Sequence, residues 1–193
     1  MRTTITKEEI AGLKLEEFEG KIIEVPNDKS VQGAIEYLNQ FNVLGFDTES
    51  RPSFRKGNTN SIALMQLAAE DVCILFRLNK LGFPKSLLQL LSNPDILKVG
   101  ISVKDDFQAI RRKTDFFPAG FVDLQRMVTT VGIEDMSLQK IYAILFNKKI
   151  SKRQRLSNWE ANELTELQKK YAALDAWACL KIYNELCLTE KYT

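Results

Sequence analysis

The stretch VLGFDTE at residues 43–49 decides the fold that we predict for this chain of 193 amino acids. Its apolar first half is typical of a central strand that is covered on both faces of a sheet. If the strand continues, Asp47 and Glu49 project to the same side, where two carboxylates repel each other unless a cation joins them. Ligands of open α/β sheets gather beyond the carboxyl ends of such strands. A solvated Asp-Thr-Glu turn is the alternative interpretation of this segment.

The surrounding sequence predicts an α/β fold with a mixed sheet flanked by helices. Residues 62–67 and 72–76 are apolar runs separated by a short polar turn, which indicates an antiparallel hairpin. Further strands are predicted at 20–25, 96–100 and 121–123. Helices are predicted at the capping box Thr6–Glu9, after a cap at Asn27 or Asp28, near Pro84, over roughly 105–113 and from about 160 to 187. A basic loop near 148–155 precedes the last of them. This order favours a mixed sheet over a purely parallel, doubly wound one.

Composition is that of a globular protein, with 45% hydrophobic and 27% charged residues. We divide the chain into an N-terminal extension, residues 1–26, packed on a domain formed by residues 27–193. Cys73, Cys179 and Cys187 form no CxxC pair, which suits free thiols in a reducing compartment. Because the sequence shows neither a signal-peptide pattern nor a transmembrane segment, we expect a cytoplasmic protein without a membrane partner.

Several catalytic classes are excluded by the residues that are missing. The chain has no histidine, which excludes Ser-His-Asp triads, Cys-His dyads and HExxH zinc sites. Its nine glycines form neither GxGxxG nor GxxxxGK[ST], so we expect no nucleotide cofactor. A net charge of +2 does not by itself indicate a nucleic-acid partner, and any such indication must come from local basic segments.

Two further carboxylates and a tyrosine follow the first motif along the chain. Tyr171 and Asp175 are four residues apart on the predicted last helix, so they share one face. Asp106 follows the strand at 96–100 and opens a helix beside Asp105. Taken separately, Asp175 could be a surface residue, and both acids at 105–106 could simply favour a helix N-terminus. Together, the four carboxylates offer hard oxygen ligands that suit Mg²⁺ or Mn²⁺ rather than zinc.

Three motifs in this order resemble those of the DEDD superfamily of 3′–5′ exonucleases, in the subgroup that carries Tyr in its third motif. The motifs are Phe46–Glu49, Val99–Asp106 and Tyr171–Ala176. Over roughly residues 40–187, the chain is similar to ribonuclease D and to the exonuclease domain of the Werner-syndrome helicase. Ser102 departs from the pattern, since many relatives carry Asn at that position, and the departure bears on loop geometry.

The resemblance implies a ribonuclease H-like fold and two-metal hydrolysis that releases 5′-mononucleotides from the 3′ end of DNA or RNA. It implies two Mg²⁺ or Mn²⁺ ions, both bridged by Asp47, with Glu49 and Asp175 completing the first site. Asp106 would hold the second ion, largely through water. Tyr171 would orient the attacking water, because an ordinary phenol pKa near ~10 makes it a poor base at neutral pH. A core aromatic is the other interpretation of Tyr171. We expect neither the second, helical domain of ribonuclease D nor a helicase module.

Basic and aromatic residues near the motifs are candidate contacts to a single-stranded or 3′-overhanging strand. They are Thr48, Arg51, Arg55, Lys56, Lys148, Lys149, Lys152, Arg153, Arg155 and Trp159. The cations would hold phosphates without reading sequence, and Trp159 or Phe54 could stack on an end base. The basic segments could instead be solvated loops, and Trp159 a core residue. The alternative functions are a non-catalytic nucleic-acid-binding relative and an unrelated metal-dependent phosphatase or nucleotide hydrolase.

Overall fold

The computed structural model describes residues 2–53 and 60–190. Within them the strands are β1 (Lys14–Leu15), β2 (Lys21–Val25), β3 (Val43–Ser50), β4 (Ile62–Ala69), β5 (Val72–Phe76), β6 (Leu97–Gly100), β7 (Phe121–Asp123) and β8 (Lys148–Lys149). The helices are α1 (Lys7–Ala11), α2 (Asp28–Leu38), α3 (Leu78–Leu81), α4 (Lys85–Leu91), α5 (Val103–Arg111), α6 (Leu124–Thr130), α7 (Leu138–Phe146) and α8 (Glu166–Glu190). None of these helices is long and apolar enough to cross a membrane.

A six-stranded mixed sheet lies at the centre, with the strand order β2-β5-β4-β3-β6-β7. The strand β4 runs antiparallel to both β3 and β5, and the remaining neighbours are parallel. The predicted antiparallel hairpin and the mixed α/β class are therefore confirmed. The strand β3 lies inside the sheet, as predicted, between β4 and β6. It continues to Ser50, beyond its apolar half.

Helices cover both faces of this sheet. One face packs against α2, α4 and α5 in a core that includes Leu38, Leu91 and Ile110. The other face packs against α6, α7 and α8 in a second core that includes Val128 and Ile141. All eight residues of β4 are buried, as a strand covered on both faces requires.

The long helix α8 lies directly on β3, because Gly45 has no side chain to keep the two backbones apart. A methyl group at Gly45 would lie 2.0 Å from the carbonyl oxygen of Ala176. Since Asp47 follows Gly45 on the same side of β3, the neighbour of Ala176 on α8 comes close to Asp47. That neighbour is Asp175.

The N-terminal strap, as we call residues 3–18, is bound along α7 and β8. The backbone N–H of Glu134 donates to the carbonyl of Thr3 at 2.9 Å, and the N–H of Ile5 donates to the Asp135 carboxylate at 2.8 Å. Further along, β1 pairs in parallel with β8. The buried Glu16 carboxylate accepts hydrogen bonds from three side chains, those of Tyr142, Lys148 and Lys181.

Three sequence predictions need correction or remain open. The basic loop expected at 148–155 begins with β8, because pairing with a distant segment overrides the polar local sequence. The last helix begins at Glu166 rather than near 160, because Thr165 and Gln168 exchange the hydrogen bonds of a helix cap. The strand β2 lies within the predicted extension of residues 1–26 but pairs with β5 in the main sheet. The division at residue 26 stays a prediction.

We expect two glycine-to-alanine substitutions to change stability in opposite directions. Gly45→Ala forces apart the backbones of β3 and α8, and such overpacking should lower the free energy of unfolding by about 1–3 kcal/mol. Gly33→Ala, within α2, meets no atom within 4 Å and should raise it by about 0.5–1 kcal/mol. Urea unfolding of both variants checks this. An unchanged midpoint for Gly45→Ala would contradict the direct packing of α8 on β3.

Candidate active site

Three carboxylates from two distant parts of the chain converge beside the sheet. Asp47 and Glu49 project from the same side of β3, and Asp175 comes from α8. One oxygen of each lies within 4.8 Å of the corresponding oxygens of the other two. We call these three residues the carboxylate trio. The sequence motifs placed all three as candidate metal ligands, and the structure brings them together.

Burial raises the pKa of every member of the trio, and repulsion from neighbouring carboxylates adds to the shift at Asp47 and Glu49. The pKa of Asp47 lies well above its usual value, because the group is desolvated and faces Glu49 and Asp175. The same two causes, burial and the charge of Asp175, raise the pKa of Glu49 to about 9. Burial raises the pKa of Asp175 to about 7, although Tyr171 and Lys152 oppose the shift. Carboxylates crowded in this way need a positive charge to remain ionised together.

The donor set of the trio fits a hard divalent cation. The Asp175 Oδ1 atom is buried, and no hydrogen-bond donor of the described chain reaches it. A buried carboxylate oxygen without a donor is costly unless a cation binds it. Carboxylate oxygens are the ligands that Mg²⁺ and Mn²⁺ prefer.

Asp106 lies close to the trio but makes a different contact. It is half-buried in the first turn of α5, and its Oδ1 atom accepts a hydrogen bond from the Thr48 hydroxyl. Burial raises the pKa of Asp106 to about 6. Its charge in turn raises the pKa values of Asp47 and Glu49. The neighbouring Asp105 is exposed, so Asp106 is the member of the pair that faces the site.

Tyr171 lies one helical turn before Asp175, and its hydroxyl lowers the pKa of that carboxylate by stabilising its charged form. Burial and the nearby carboxylates raise the pKa of Tyr171 above its usual range, so the hydroxyl stays protonated at neutral pH. The Tyr171 ring lies 6.0 Å from that of Trp159, measured between centroids. Tyr171 is thus partly a packing residue and partly a polar group of the site.

A cleft of about 470 Å³ opens beside Tyr171 and Asp175. Its other lining residues are Ile101, Ser102, Gln125, Met136, Ser137, Leu138, Gln139, Ile150, Ser151, Lys152 and Arg155. Gln125 and the segments 136–139 and 150–151 were not predicted as site residues. Their sequence contains no motif that would indicate a functional site, and only the tertiary fold places them in the cleft.

Two of the predicted basic contacts, Lys152 and Arg155, line this cleft. Their charges act on the trio, since Lys152 lowers the pKa of Asp175 and Arg155 lowers that of Glu49. Both side chains therefore lie where they could neutralise an anionic ligand of the cleft.

The remaining predicted contacts lie elsewhere. Lys148 pairs with Glu16 at 2.9 Å, and the Lys149 ammonium donates to the Ala11 carbonyl, so both hold the N-terminal strap. Arg153 lines a neighbouring groove, and Arg51 lies 3.4 Å from Glu160. The Thr48 hydroxyl is bonded to Asp106. Phe54, Arg55 and Lys56 lie outside the described residues.

The structure corrects the predicted role of Trp159 as a base-stacking contact. Its side chain is 0% exposed and belongs to the core beneath α8, so neither ring face is open to a ligand. The core interpretation, left open by the sequence, is the one that the structure shows. Burial of its large apolar ring outweighs any benefit of exposing it.

Comparison with known proteins places the chain among nucleases. A model of the 3′-5′ exonuclease domain matches residues 22–189. The mouse bifunctional 3′-5′ exonuclease/ATP-dependent helicase WRN is 35% identical over 155 residues, which are 77% of this chain and 11% of that protein. The chain spans about half or less of the curated relatives that it matches first.

Two solved structures extend the comparison. The fold matches Escherichia coli RNase D, an exoribonuclease, with a TM-score of 0.78 at 21% identity, over 90% of this chain and 46% of that one. The EXD2 exonuclease domain, soaked in Mn, is 29% identical with a TM-score of 0.51, over 86% of this chain and 89% of that one.

We expect Asp47→Asn to stabilise the protein in the presence of a chelator. The amide keeps the shape of the side chain but removes an acid whose ionised form is disfavoured by burial and by the other two carboxylates. The melting temperature in EDTA should rise by roughly 2–4 °C, the shift that about 1 kcal/mol produces in a domain of this size. Asp105→Asn, at an exposed position, is the matched control and should change it little. A lower melting temperature for Asp47→Asn would show that repulsion does not dominate there.

Proposed function

The chain belongs to the 3′–5′ exonuclease family, and we propose that it removes 5′-mononucleotides, in a metal-dependent reaction, from the 3′ end of a single-stranded or overhanging nucleic acid. The observation that carries this proposal is the carboxylate trio, whose members come from β3 and α8 and lie within 4.8 Å of one another. A cluster so crowded, with a buried oxygen that lacks a donor, is costly to the fold and fits a metal-dependent hydrolase.

Two divalent cations, Mg²⁺ or Mn²⁺, are the cofactors that we propose. The trio would hold one, and Asp47 with Asp106 would hold the other. When bound, such ions supply the positive charge that activates water and stabilises the leaving oxygen of a phosphodiester. The Mn soak of the EXD2 exonuclease domain supports the choice of ion class.

The protein groups around the trio have distinct roles in this proposal. Tyr171 keeps its proton, because its pKa is raised, and its hydroxyl orients a water beside Asp175 rather than acting as a base. This role would place the chain in the Tyr subgroup of the family. Lys152 and Arg155, which line the same cleft, bind the phosphates of the strand. Their contact with the backbone alone would make binding independent of base sequence.

DNA and RNA are both candidate substrates. The mouse relative is named as an exonuclease and helicase, and the Escherichia coli structure is described as that of an exoribonuclease. A direct comparison of matched DNA and RNA strands is therefore part of the test below.

We expect cleavage of both kinds of end-labelled oligonucleotide to require Mg²⁺ or Mn²⁺, to stop in EDTA, and to shorten the strand from its 3′ end. The reason is that all of the proposed ligands are carboxylates, which cannot neutralise a phosphodiester by themselves. Denaturing gels of 5′-labelled strands show the polarity, and chromatography identifies the mononucleotide. A strand with a blocked 3′ end is the control. Full activity in EDTA, or internal cleavage of the blocked strand at the same rate, would refute the proposal.

We expect the two adjacent acids of α5 to differ sharply on substitution. Asp106→Asn should abolish most cleavage with little change in melting temperature, because Asp106 faces the site. Asp105→Asn should keep activity and cost only a few tenths of a kcal/mol of stability, the effect of an exposed charge at a helix N-terminus. Cleavage rates and melting temperatures of the two variants decide the matter. If Asp105→Asn is inactive and Asp106→Asn is active, the proposed metal ligand is wrong by one residue.

A further inference from the structure

Gln66 is a polar residue in an otherwise apolar strand. It lies in the middle of β4, where all eight residues are buried and the other seven are Ile, Ala, Leu or Met. Its side chain is 0% exposed. Neither the amide nitrogen nor the amide oxygen has a hydrogen-bond partner in the part of the chain that the structure describes. A buried amide left without partners costs about 1–3 kcal/mol, so its presence calls for an explanation.

The position of Gln66 in the sheet explains why a polar residue is buried there. In the antiparallel pairing of β3 with β4, Gln66 is the direct partner of Asp47. Directly opposite residues share one face of a sheet, with Cβ atoms about 4.5–5.5 Å apart. The neighbours of Gln66 on that face of β4, Leu64 and Ala68, are apolar. The one polar group of the strand thus lies beside the carboxylate that the proposed function places between two cations.

The chemistry of the two side chains is complementary when Asp47 binds a cation. With a cation, Asp47 is an anion, and its remaining lone pairs need donors. The Gln66 amide has two N–H groups and no competing acceptor among the described residues. A neighbour that donates to a metal-binding carboxylate fixes its orientation and strengthens the site.

We propose that Gln66 is a positioning residue, whose amide orients the Asp47 carboxylate toward a bound divalent cation. This inference rests on the proposed function, since it requires that Asp47 binds metal. The proposal predicts that Gln66 has opposite effects on two quantities, the stability of the metal-free protein and its affinity for the metal. The unpartnered amide weakens the metal-free fold, and the same amide strengthens the metal-loaded site.

Gln66→Met tests the proposal, because methionine has nearly the same volume but cannot hydrogen-bond as an amide does. Mn²⁺ affinity, measured by titration calorimetry, should fall by roughly ten- to a hundredfold. In EDTA, the free energy of unfolding should stay the same or rise, because a buried polar group without partners is removed. Gln66→Leu serves as a second apolar variant. Met65→Leu, in the same strand but facing the opposite core, is the matched control and should leave Mn²⁺ affinity unchanged.

The outcomes separate this inference from the proposed function. Unchanged Mn²⁺ affinity in both apolar variants overturns the inference while leaving a cleaving enzyme intact. A loss of affinity that accompanies a comparable loss of stability in EDTA also overturns it, because the residue would then act through packing alone. If the wild-type protein binds Mn²⁺ but cleaves no strand, the proposed function fails and the affinities still decide the role of Gln66. If the wild-type protein binds no Mn²⁺, both fail.

Discussion

The direct contact between the backbones of α8 and β3 is the constraint on which the site depends. It exists because Gly45 leaves room for the carbonyl of Ala176, and it brings Asp175 to the strand that carries Asp47 and Glu49. Three carboxylates would separate if their supports were flexible, since burial and repulsion both oppose them. The rigidity of the central sheet and the two apolar cores therefore balances a local arrangement that is unfavourable by itself.

Much of this arrangement could be predicted from the sequence, because the signals involved are local. The apolar run before Asp47 predicts a buried strand, the alternation beyond it places Glu49 on the same side, and helical spacing joins Tyr171 to Asp175. The hairpin of β4 and β5 follows from two apolar runs and a polar turn. The choice of Asp106 over Asp105 rests on motif register, since the second motif ends at Asp106.

The rest could not be predicted, because it depends on contacts between distant segments. Nothing near Lys148 indicates that it pairs with Glu16, more than a hundred residues away, rather than with a phosphate. The burial of Trp159 follows from the packing of α8 and not from its own basic neighbourhood. Gln66 looked like part of an ordinary strand, and its position opposite Asp47 appears only once the strand register is known.

The N-terminal strap has a consequence for the order in which the molecule can assemble. Its partners lie at 134–149 and at Lys181, which leave the ribosome long after residues 3–18 do. The strands β2 to β7, all within residues 21–123, can pair before then. The strap is thus synthesised before its partners but docks among the last elements of the domain. The segments 136–139 and 150–152 that line the cleft are bordered by its contacts. Contacts of such long sequence separation form slowly, so the cleft should mature after the sheet has already folded.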